Sequence, residues 1–595
     1  MALNIKSNPL INGISIKTKN SVKQIKITQL ADDTTLFFGS TLEIEIALDE
    51  IENFGKHSGL KLNRQKTEGL WVGNHISRDN KIGNINWSNG PIKALGIYFG
   101  QNKQECIRFN WEDKIKNVEN IIKNWLKRNL TFFGKIKIIK TLILSKLVYL
   151  EQSITVPNDI IKTIDSLIYN FLWHGKREKI KRSTLIGQTE YGGIEMCDTQ
   201  SFFKSLKFKW IKKLIDETEA NWKILPNYFL EIFGENFLIF NMNLDNLKSI
   251  KKYNTRFIPS FYLDIINTWL QINQLTTIKP NTYESLRKSV IWGNRNIKFQ
   301  GQCLIFKNWI ESGIIFINDI IDINGNISDA FLFNKLRNKC DWISEISKLK
   351  AAIPTSWKII LKDEHSIKSK VKTSLKLKIN INKKMTNIDS TQNKQIYNIL
   401  INQMFSKPYV HTYWNQYFDS IFIWEKVYKT LHTLEDNRIK QFKYKIINRI
   451  LPSKEIRFKW KVIESPLCVL CNVTETYNHL FIDCKYLDSF WNTITLIFKA
   501  CGVENNVKNL KYIVIGYKIN FPEYKSITKI FSLIGFSIYK AYFSSDCRTK
   551  KVDSYKIFKD ELHKMTTYHT YMELPLTNFL IQFKRNTDVL ATPVV

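Results

Sequence analysis

The sequence predicts an α+β protein in which a short strand-containing part precedes a mostly α-helical remainder with a small zinc-binding module. Three patterns support this prediction. Apolar and polar residues alternate in short runs before about residue 100, and apolar residues recur with helical spacing from Asn110 onward. Cysteine and histidine residues then cluster at 468–484. The chain has 595 residues, which is enough for roughly three or four domains.

The charge balance restricts the possible partners. Lys plus Arg is 88 and Asp plus Glu is 54, which gives a formal net charge of +34. Such an excess implies a polyanion, either nucleic acid or an anionic membrane surface. The longest apolar runs, 138–150 and 527–538, fall short of the ~20 residues that span a bilayer, and the N-terminus has no apolar signal segment. We therefore expect a protein of the nucleus or cytoplasm that binds nucleic acid, without membrane association or secretion.

The first hundred residues predict a small α+β unit. Alternation over 22–38 predicts a β-hairpin that turns at Ala31-Asp32-Asp33. An amphipathic helix is expected next, from an N-cap at Ser40 or Thr41 to a glycine at Gly59. Its solvent face is expected to carry the acids Glu43, Glu45, Asp49, Glu50 and Glu52. Short strands are expected at 60–62, 69–72 and 92–99.

Helical spacing dominates the rest of the chain. One face of a first helix is expected to contain Ile115, Val118, Ile122 and Trp125. A second helix, starting near Thr131, is expected to bury Ile136, Ile139, Ile143 and Leu147. Residues 366–384 hold seven lysines and no acid, which predicts a basic strand or a linker near a domain boundary.

Two adjacent carboxylates, Asp32 and Asp33, occupy the predicted hairpin turn. Oxygen ligands of this kind suit Mg²⁺, and two such ions can hold the attacking and leaving oxygens in phosphoryl transfer. The same pair also suits the turn itself, because Asp side chains bond to nearby backbone groups. The dipeptide alone does not decide between the two interpretations.

A second candidate site has the spacing Cys468-x2-Cys471-x7-His479-x4-Cys484. Two thiolates on one turn, completed by a histidine and a third cysteine, can coordinate Zn²⁺ tetrahedrally. The alternative is a set of buried cysteines with a core histidine and no metal. Aromatic residues flank the cluster, as the apolar shell of a zinc site requires: Tyr477, Phe481, Tyr486 and Trp491. The other cysteines show no ligand spacing and are expected to be packing residues: Cys106, Cys197, Cys303, Cys340, Cys501 and Cys547.

Basic residues interleaved with tryptophans form a third candidate site, suited to phosphate contacts along a nucleic-acid duplex. The first group is Lys114, Lys123, Lys127, Arg128, Lys135, Lys137 and Lys140. The second group is Lys176, Arg177, Lys179, Lys181 and Arg182. The alternative is a solvated charged face over core tryptophans. Phosphate contact is the favoured interpretation for the second group, and a core position is favoured for Trp125.

Several ordered motifs resemble the reverse transcriptases of LINE-type (non-LTR) retrotransposons. QLADDTTLF, SGLKLNRQKTE and IKALGIYFG, ending at residue 100, resemble the palm of that family. Residues 110–150 look like its thumb, and 170–198 look like the segment after the thumb. The Cys/His cluster is similar to one near the family's C-terminus. The resemblance implies RNA-directed DNA synthesis with RNA and DNA as partners, bound as an RNA–DNA hybrid or duplex.

The resemblance also divides the chain into six expected segments. They are a partial palm (1–105), a thumb (106–165), a post-thumb helical region (166–365), a helical region (385–460), a zinc-binding segment (461–500) and a helical tail (501–595).

Carried over by motif, Asp32 and Asp33 match the family's Mg²⁺-binding pair. Lys66 matches a lysine near the leaving pyrophosphate, where a cation stabilises developing charge; a solvated surface lysine is the alternative. Leu95-Gly96-Ile97 matches the strand that supports the primer end, with an ordinary core strand as the alternative. Leu30 departs from the family, which usually has an aromatic residue at that position.

Parts of the family's catalytic apparatus have no counterpart in this sequence. A polymerase palm uses a third carboxylate on an upstream strand, and residues 1–31 contain no Asp or Glu. The fingers are also missing. We therefore expect an N-terminally truncated and catalytically incomplete reverse transcriptase. The alternatives are a non-enzymatic RNA/DNA-binding protein derived from a retrotransposon, or a degenerate fragment with no selected role.

Overall fold

A computed structural model of the chain describes all residues apart from 18–21, 74–81, 217, 219, 231–257, 277–279, 281, 323, 328, 337–341, 364–377, 382–383, 504–505, 519, 522, 546–551 and 590–595. Most of the basic stretch 366–384 lies outside the described residues, as do Cys340 and Cys547. The chain divides into two compact units. The first unit is Met1–Asn120, Ser145–Ile164 and Thr199–Gln403, and the second is Ile121–Leu144, Asp165–Asp198 and Met404–Val595.

The strands are short, and each sheet in the described part of the chain has two of them. The antiparallel pairs are Ile14–Lys17 with Val22–Ile25, Ile27–Leu30 with Asp33–Leu36, Ile92–Ala94 with Ile97–Phe99, Lys298–Phe299 with Gln302–Cys303, and Lys378–Ile381 with Lys384–Asn387. Glu68–Leu70 pairs in parallel with Asn86–Ser88. Together with the many helices, these strands confirm the α+β class.

Most of the predicted N-terminal elements are present, with three differences. The single strand expected at 92–99 is wrong, because Leu95 and Gly96 form a turn between two paired strands, Ile92–Ala94 and Ile97–Phe99. The hairpin that turns at Ala31 and Asp32 is confirmed, but it spans Ile27–Leu36, because Val22–Ile25 pairs with an earlier strand. The strand expected at 60–62 is wrong. The Leu60 N–H donates to the Ser58 hydroxyl, and the Lys66 N–H donates to the Asn63 carbonyl in the turn that follows. The backbone of this segment therefore bonds locally instead of pairing with another strand.

The predicted amphipathic helix is Thr41–Ser58, with Ser40 as its N-cap and Gly59 in the left-handed conformation after it. Placing Glu43 on its solvent face was wrong, because only 5% of that residue is exposed. The Glu43 carboxylate accepts hydrogen bonds from the backbone N–H groups of Asn12, Gly13 and Gly39, at 3.1–3.2 Å. A carboxylate is stabilised at a helix N-terminus, where unpaired N–H groups give a positive end. Glu43 therefore ties the helix start to the preceding chain.

Helices make up most of the remaining structure. In chain order the α-helices are Ala2–Ser7, Thr41–Ser58, Lys103–Leu126, Phe132–Ile138, Val148–Ser153, Asn158–Trp173, Arg182–Leu185, Thr199–Ile215, Ile224–Leu230, Ser260–Thr276, Tyr283–Arg287, Lys307–Glu311, Asp329–Leu336, Trp342–Ala352, Thr355–Asp363, Asn393–Met404, Val410–Tyr417, Trp424–Lys429, Asn437–Ile447, Lys454–Lys459, Asp488–Ala500, Leu510–Val514, Tyr524–Ser544, Ser554–Tyr571 and Asn578–Val589. Short 3-10 turns are Ile82–Asn84, Leu144–Lys146, Thr189–Tyr191, Asn221–Lys223, Ile317–Asp319, Thr430–Thr433 and Lys485–Leu487. Ile139–Ile143 and His479–Asp483 are π-helical turns.

Both units bury aromatic cores. In the first unit, Trp269, Trp292 and Trp309 belong to one cluster of buried residues. In the second unit, the helix Tyr524–Ser544 is buried along most of its length, and its Phe531 ring stacks on Phe498 at 5.1 Å. The predicted face at Ile136, Ile139, Ile143 and Leu147 is confirmed as buried. No helix in the described ranges is both long enough and apolar enough to cross a bilayer.

Candidate metal centre

The predicted zinc ligands converge in the second unit. One ligand atom from each of Cys468, Cys471, His479 and Cys484 lies within 4.8 Å of the other three. The Sγ atoms of Cys471 and Cys484 are 3.8 Å apart. Tetrahedral Zn–S bonds of about 2.3 Å place two thiolates at about this separation. Cys468, His479 and Cys484 are buried, and Cys471 is half-buried, as expected for a closed site.

A tight turn presents the first two cysteines. The Asn472 N–H donates to the Cys468 carbonyl at 2.9 Å, and the Cys468 N–H donates to the Val473 carbonyl at 2.8 Å. Asn472 takes a left-handed φ of +53°, which Asn tolerates better than most residues. A single β-bridge between Leu467 and Thr474 closes the base of the turn. The Cys468 and Cys471 thiols therefore reach the same ligand group.

A π-helical turn presents the other two ligands. The Cys484 N–H donates to the His479 carbonyl at 3.1 Å, five residues back. This wider turn brings the side chains at its two ends near the same point, and π turns are frequent at functional sites. The start of the turn is held by Thr476, whose hydroxyl accepts from the His479 N–H at 3.2 Å.

Buried hydrogen bonds hold the segments next to the four candidate ligands. Glu475 is fully buried, and its carboxylate accepts from the Tyr542 hydroxyl at 2.7 Å and from the Lys454 N–H at 3.1 Å. The Tyr477 hydroxyl donates to the Leu451 carbonyl at 2.8 Å, and Trp491 Nε1 donates to the Phe481 carbonyl at 2.9 Å. Such hydrogen bonds fix the positions of the segments that carry the ligands.

The donor set fits structural zinc. Three thiolates and one imidazole supply four protein ligands, which leaves no position for water or substrate. A site of this type contributes folding stability rather than catalysis. The approach of the four candidate ligand atoms to within 4.8 Å of one another favours zinc over a set of unligated core residues.

The predicted magnesium ligands, unlike the Cys/His cluster, are exposed to solvent. Asp32 occupies the hairpin turn and Asp33 begins the return strand, and both are exposed. Among the residues the structure describes, the Cys/His cluster is the only group of three or more potential metal ligands. Lys66 is exposed and ends the turn that begins at Asn63.

Leu95-Gly96-Ile97 is not one continuous strand. Leu95 and Gly96 form the turn of a hairpin, with φ values of +49° and +77°. Two successive positive φ angles suit a two-residue hairpin turn and are unusual for leucine. The Tyr149 hydroxyl donates to the Leu95 carbonyl and holds the turn in place.

Most of the predicted nucleic-acid-binding residues are accessible. All of them except Lys114 belong to the second unit. The exposed ones are Lys123, Lys127, Arg128, Lys137, Lys140, Lys176, Arg177, Lys181 and Arg182, and Lys114 and Lys179 are half-buried. Trp111 and Trp173 are buried, and Trp125 is half-buried, with the Arg128 guanidinium 4.9 Å from its ring centre.

Lys135 corrects the predicted set, because it is buried and cannot reach a phosphate. Its Nζ donates to the carbonyls of Phe171 and Leu172 at 2.9 and 3.2 Å, where the helix Asn158–Trp173 ends. Burial lowers the pKa of Lys135 to about 8, and the nearby cation of Lys445 adds to the effect. A lysine suits these carbonyls, since the C-terminal end of a helix is negative. Lys135 is therefore a structural residue.

Two members of the second basic group have local partners. The Lys179 ammonium lies 3.7 Å from the centre of the Trp460 ring. The Arg182 guanidinium pairs with Glu178 at 2.6 Å and stacks over Tyr169. Lys176, Arg177 and Lys181 are exposed cations whose charges remain available for a polyanion.

Comparisons with known proteins agree with the site. The family described as zinc-binding in reverse transcriptase matches residues 392–491, a range that includes the four converging ligands. The Transposon TX1 149 kDa protein of Xenopus laevis is 22% identical over 263 residues, 42% of this chain and 19% of that protein. A protein of Arabidopsis thaliana described as a candidate ribonuclease H is 24% identical over 116 residues, 19% of each chain. The chain thus spans about a fifth of the length of these relatives.

Residues 392–491 of this chain thus resemble the domain described as zinc-binding in reverse transcriptase. The family match and the transposon relative together show that this chain is a reverse-transcriptase-related protein.

Proposed function

We propose that this chain serves RNA-directed DNA synthesis in a LINE-type (non-LTR) retrotransposon, as the part that holds an RNA–DNA hybrid or duplex. The observation that carries the proposal is the convergence of four zinc ligands within the segment that matches the reverse-transcriptase zinc-binding family. Zn²⁺ held by Cys468, Cys471, His479 and Cys484 would stabilise the fold of that segment.

Exposed basic residues of the second unit would bind the phosphates of the nucleic acid. A net charge of +34 favours a polyanion, and the exposed lysines and arginines at 123–140 and 176–182 lie in the second unit together with the zinc ligands. Contacts of this kind reach backbone phosphates and need no base readout. We expect binding in the nucleus or cytoplasm, where such nucleic acids occur.

We propose that DNA synthesis requires carboxylates in addition to Asp32 and Asp33. Two-metal phosphoryl transfer requires carboxylates around both ions, because each Mg²⁺ must be held while the oxygens exchange. Asp32 and Asp33 stand exposed on a two-stranded hairpin, and the nearby Glu43 is occupied by three backbone N–H groups. With a further carboxylate supplied beside them, Asp32 and Asp33 would hold Mg²⁺, and Lys66 would face the leaving pyrophosphate.

A second candidate is a non-enzymatic RNA/DNA-binding protein. The exposed, two-membered carboxylate site favours it, since the described residues contain no third potential ligand beside Asp32 and Asp33.

Primer extension on an RNA template separates the two candidates. Residues 1–595 alone should show no Mg²⁺-dependent extension. The chain joined to an upstream palm and fingers of a non-LTR reverse transcriptase should extend the primer. Asp32→Ala should abolish the gained activity, whereas Asp49→Ala, which removes an exposed acid from the following helix, should retain it.

Robust extension by residues 1–595 alone would show that another carboxylate completes the site. A joined protein that binds hybrid tightly but never extends it would favour the binding protein instead.

A further inference from the structure

The helix Asn437–Ile447 lies outside the predicted nucleic-acid-binding set, but it packs beside the first basic group. Its Gln441 Oε1 accepts from the Phe132 N–H at 2.6 Å, and its Tyr444 ring lies 6.2 Å from the ring of Phe133. Three lysines of the first basic group follow Phe133 closely in sequence. All of these residues belong to the second unit, so the helix borders the predicted binding residues within one compact body.

Two half-buried lysines of this helix lie over aromatic rings at the contact. Lys445 Nζ is 5.1 Å from the centre of the Phe132 ring, and Lys440 Nζ is 4.8 Å from the centre of the Phe133 ring. Phe132 is itself buried and packs edge-on against Trp173 at 5.2 Å. An aromatic ring attracts an ammonium group without providing a hydrogen-bond acceptor for each of its three N–H donors. The rings therefore position both ammonium groups and leave donors for another acceptor.

The charge of Lys445 is not compensated. Within the described part of the chain, its ammonium has no hydrogen-bond acceptor and no carboxylate partner. The neighbouring Lys135 differs, because its ammonium donates to the Phe171 and Leu172 carbonyls. Burial lowers the pKa of Lys445, and the positive charge of Lys176 lowers that pKa further. A half-buried cation beside a second cation is stabilised when an anion binds to both.

Lys440 continues the cations towards the first basic group. Burial lowers the pKa of Lys440, and the negative charge of Glu195 opposes that effect. The same Glu195 carboxylate lies 3.9 Å from Lys140 Nζ, and both side chains of this pair are about half exposed. Exposed ion pairs contribute little stability, so a phosphate can replace Glu195 at low cost. Lys176, Lys445, Lys440 and Lys140 are thus consecutive neighbours that link the second basic group to the first.

We propose that Lys445 and Lys440 bind backbone phosphates of the nucleic acid and, with Lys176, join the two basic groups into one phosphate-binding surface. A phosphate accepts charge-assisted hydrogen bonds from several ammonium groups at once. The alternative is a solvated charged face, and the packing of Lys445 on the buried Phe132 ring argues against it. The inference rests on the proposed function and adds to the nucleic-acid-binding surface a helix from the segment 392–491, which also contains the zinc ligands.

Lysine acetylation followed by mass spectrometry tests the proposal on the unmodified full chain. A bound RNA–DNA hybrid should slow the acetylation of Lys445, Lys440 and Lys176 severalfold. Lys559 is the control, because it is also half-buried but its ammonium is paired with Asp588 at 3.6 Å, and its rate of acetylation should not change. Unchanged acetylation of Lys445 in the complex would overturn the proposal. Protection by inorganic phosphate without protection by the hybrid would assign the lysines to a free anion and would also overturn it.

Lys445→Met removes the charge while keeping an unbranched side chain against Phe132. It should weaken hybrid binding by about tenfold and flatten the log–log salt slope by about one unit, because one charge-assisted phosphate contact is lost. The control Lys559→Met removes the same charge from a different helix and should change the affinity by about twofold at most, because salt screens distant charges. Equal effects of the two substitutions would overturn the proposal.

Lys445→Arg separates the loss of charge from a disturbance of the packing. Because arginine keeps a cation at this position, the variant should retain most of the affinity and of the salt slope that Lys445→Met loses. A loss in Lys445→Arg as large as that in Lys445→Met would show a packing role and overturn the phosphate contact. Salt-dependent hybrid binding by the unmodified chain tests the proposed function separately, and its absence would overturn both proposals.

Discussion

Replacing Cys484 with serine should remove zinc from the second unit and destabilise it. Cys484 is fully buried, and its Sγ lies 3.8 Å from that of Cys471, so the substitution removes a ligand from the interior of the cluster. Loss of an outer partner of a metal ligand costs about 10–100-fold in affinity, and loss of a ligand itself should cost at least about 100-fold. A 100-fold loss corresponds to about 2.7 kcal/mol of zinc-linked stability.

Metal analysis after gel filtration, combined with denaturant unfolding, measures both quantities. The unmodified chain should retain about one equivalent of zinc, and a chelator should lower its free energy of unfolding. Cys501→Ser is the matched control, because this half-buried thiol is outside the cluster and accepts from Asn586 at 3.3 Å, a bond that serine can also accept. Full zinc content in Cys484→Ser, or no zinc in the unmodified chain, would refute the metal centre.

The remaining predictions concern three buried charged groups. Glu43→Ala should lower the free energy of unfolding by about 2–4 kcal/mol, because three backbone N–H groups lose their acceptor. Substitution of the exposed Glu45 by alanine should change that free energy by about 0.5 kcal/mol at most, and equal effects of the two substitutions would contradict the buried position of Glu43. Burial lowers the pKa of Lys443 to about 7, against an ordinary 10.5. Between those values the unfolded chain binds a proton that the folded chain lacks, so stability should rise with pH by at most about 1.4 kcal/mol per unit. Denaturant unfolding across this range should show the rise in the unmodified chain and lose this component in Lys443→Met; identical pH profiles would refute it. Lys135→Met should keep the affinity for an RNA–DNA hybrid within about twofold of that of the unmodified chain in a binding titration, because the Lys135 ammonium is bonded to the Phe171 and Leu172 carbonyls. A loss of affinity as large as that caused by Lys137→Ala would show that Lys135 reaches a phosphate.

The convergence of the four Cys/His residues could be predicted because its determinants are local. All four ligands fall within 468–484, and a turn followed by a π-helical turn is enough to bring them together. The hairpin at Ala31 and Asp32 and the buried face from Ile136 to Leu147 follow from short-range periodicity in the same way.

Residues whose environment depends on distant segments were harder to predict. Lys135 looks like a surface lysine in sequence, and its burial comes from the end of the helix Asn158–Trp173. Sequence periodicity places Glu43 on an acidic face, although Ser40-x-x-Glu43 at a helix start is a capping pattern that also indicates a role at the N-terminus.

The salt dependence of binding to an RNA–DNA hybrid most directly tests whether basic residues of the second unit bind its backbone phosphates. About six phosphate contacts should give a log–log slope near roughly −5. Changing Lys176, Arg177, Lys179, Lys181 and Arg182 to alanine should flatten that slope by about three units, mostly through the freely exposed Lys176, Arg177 and Lys181. A shallow slope in the unmodified chain, or a slope that the five substitutions leave unchanged, would contradict a phosphate-binding surface in the second unit.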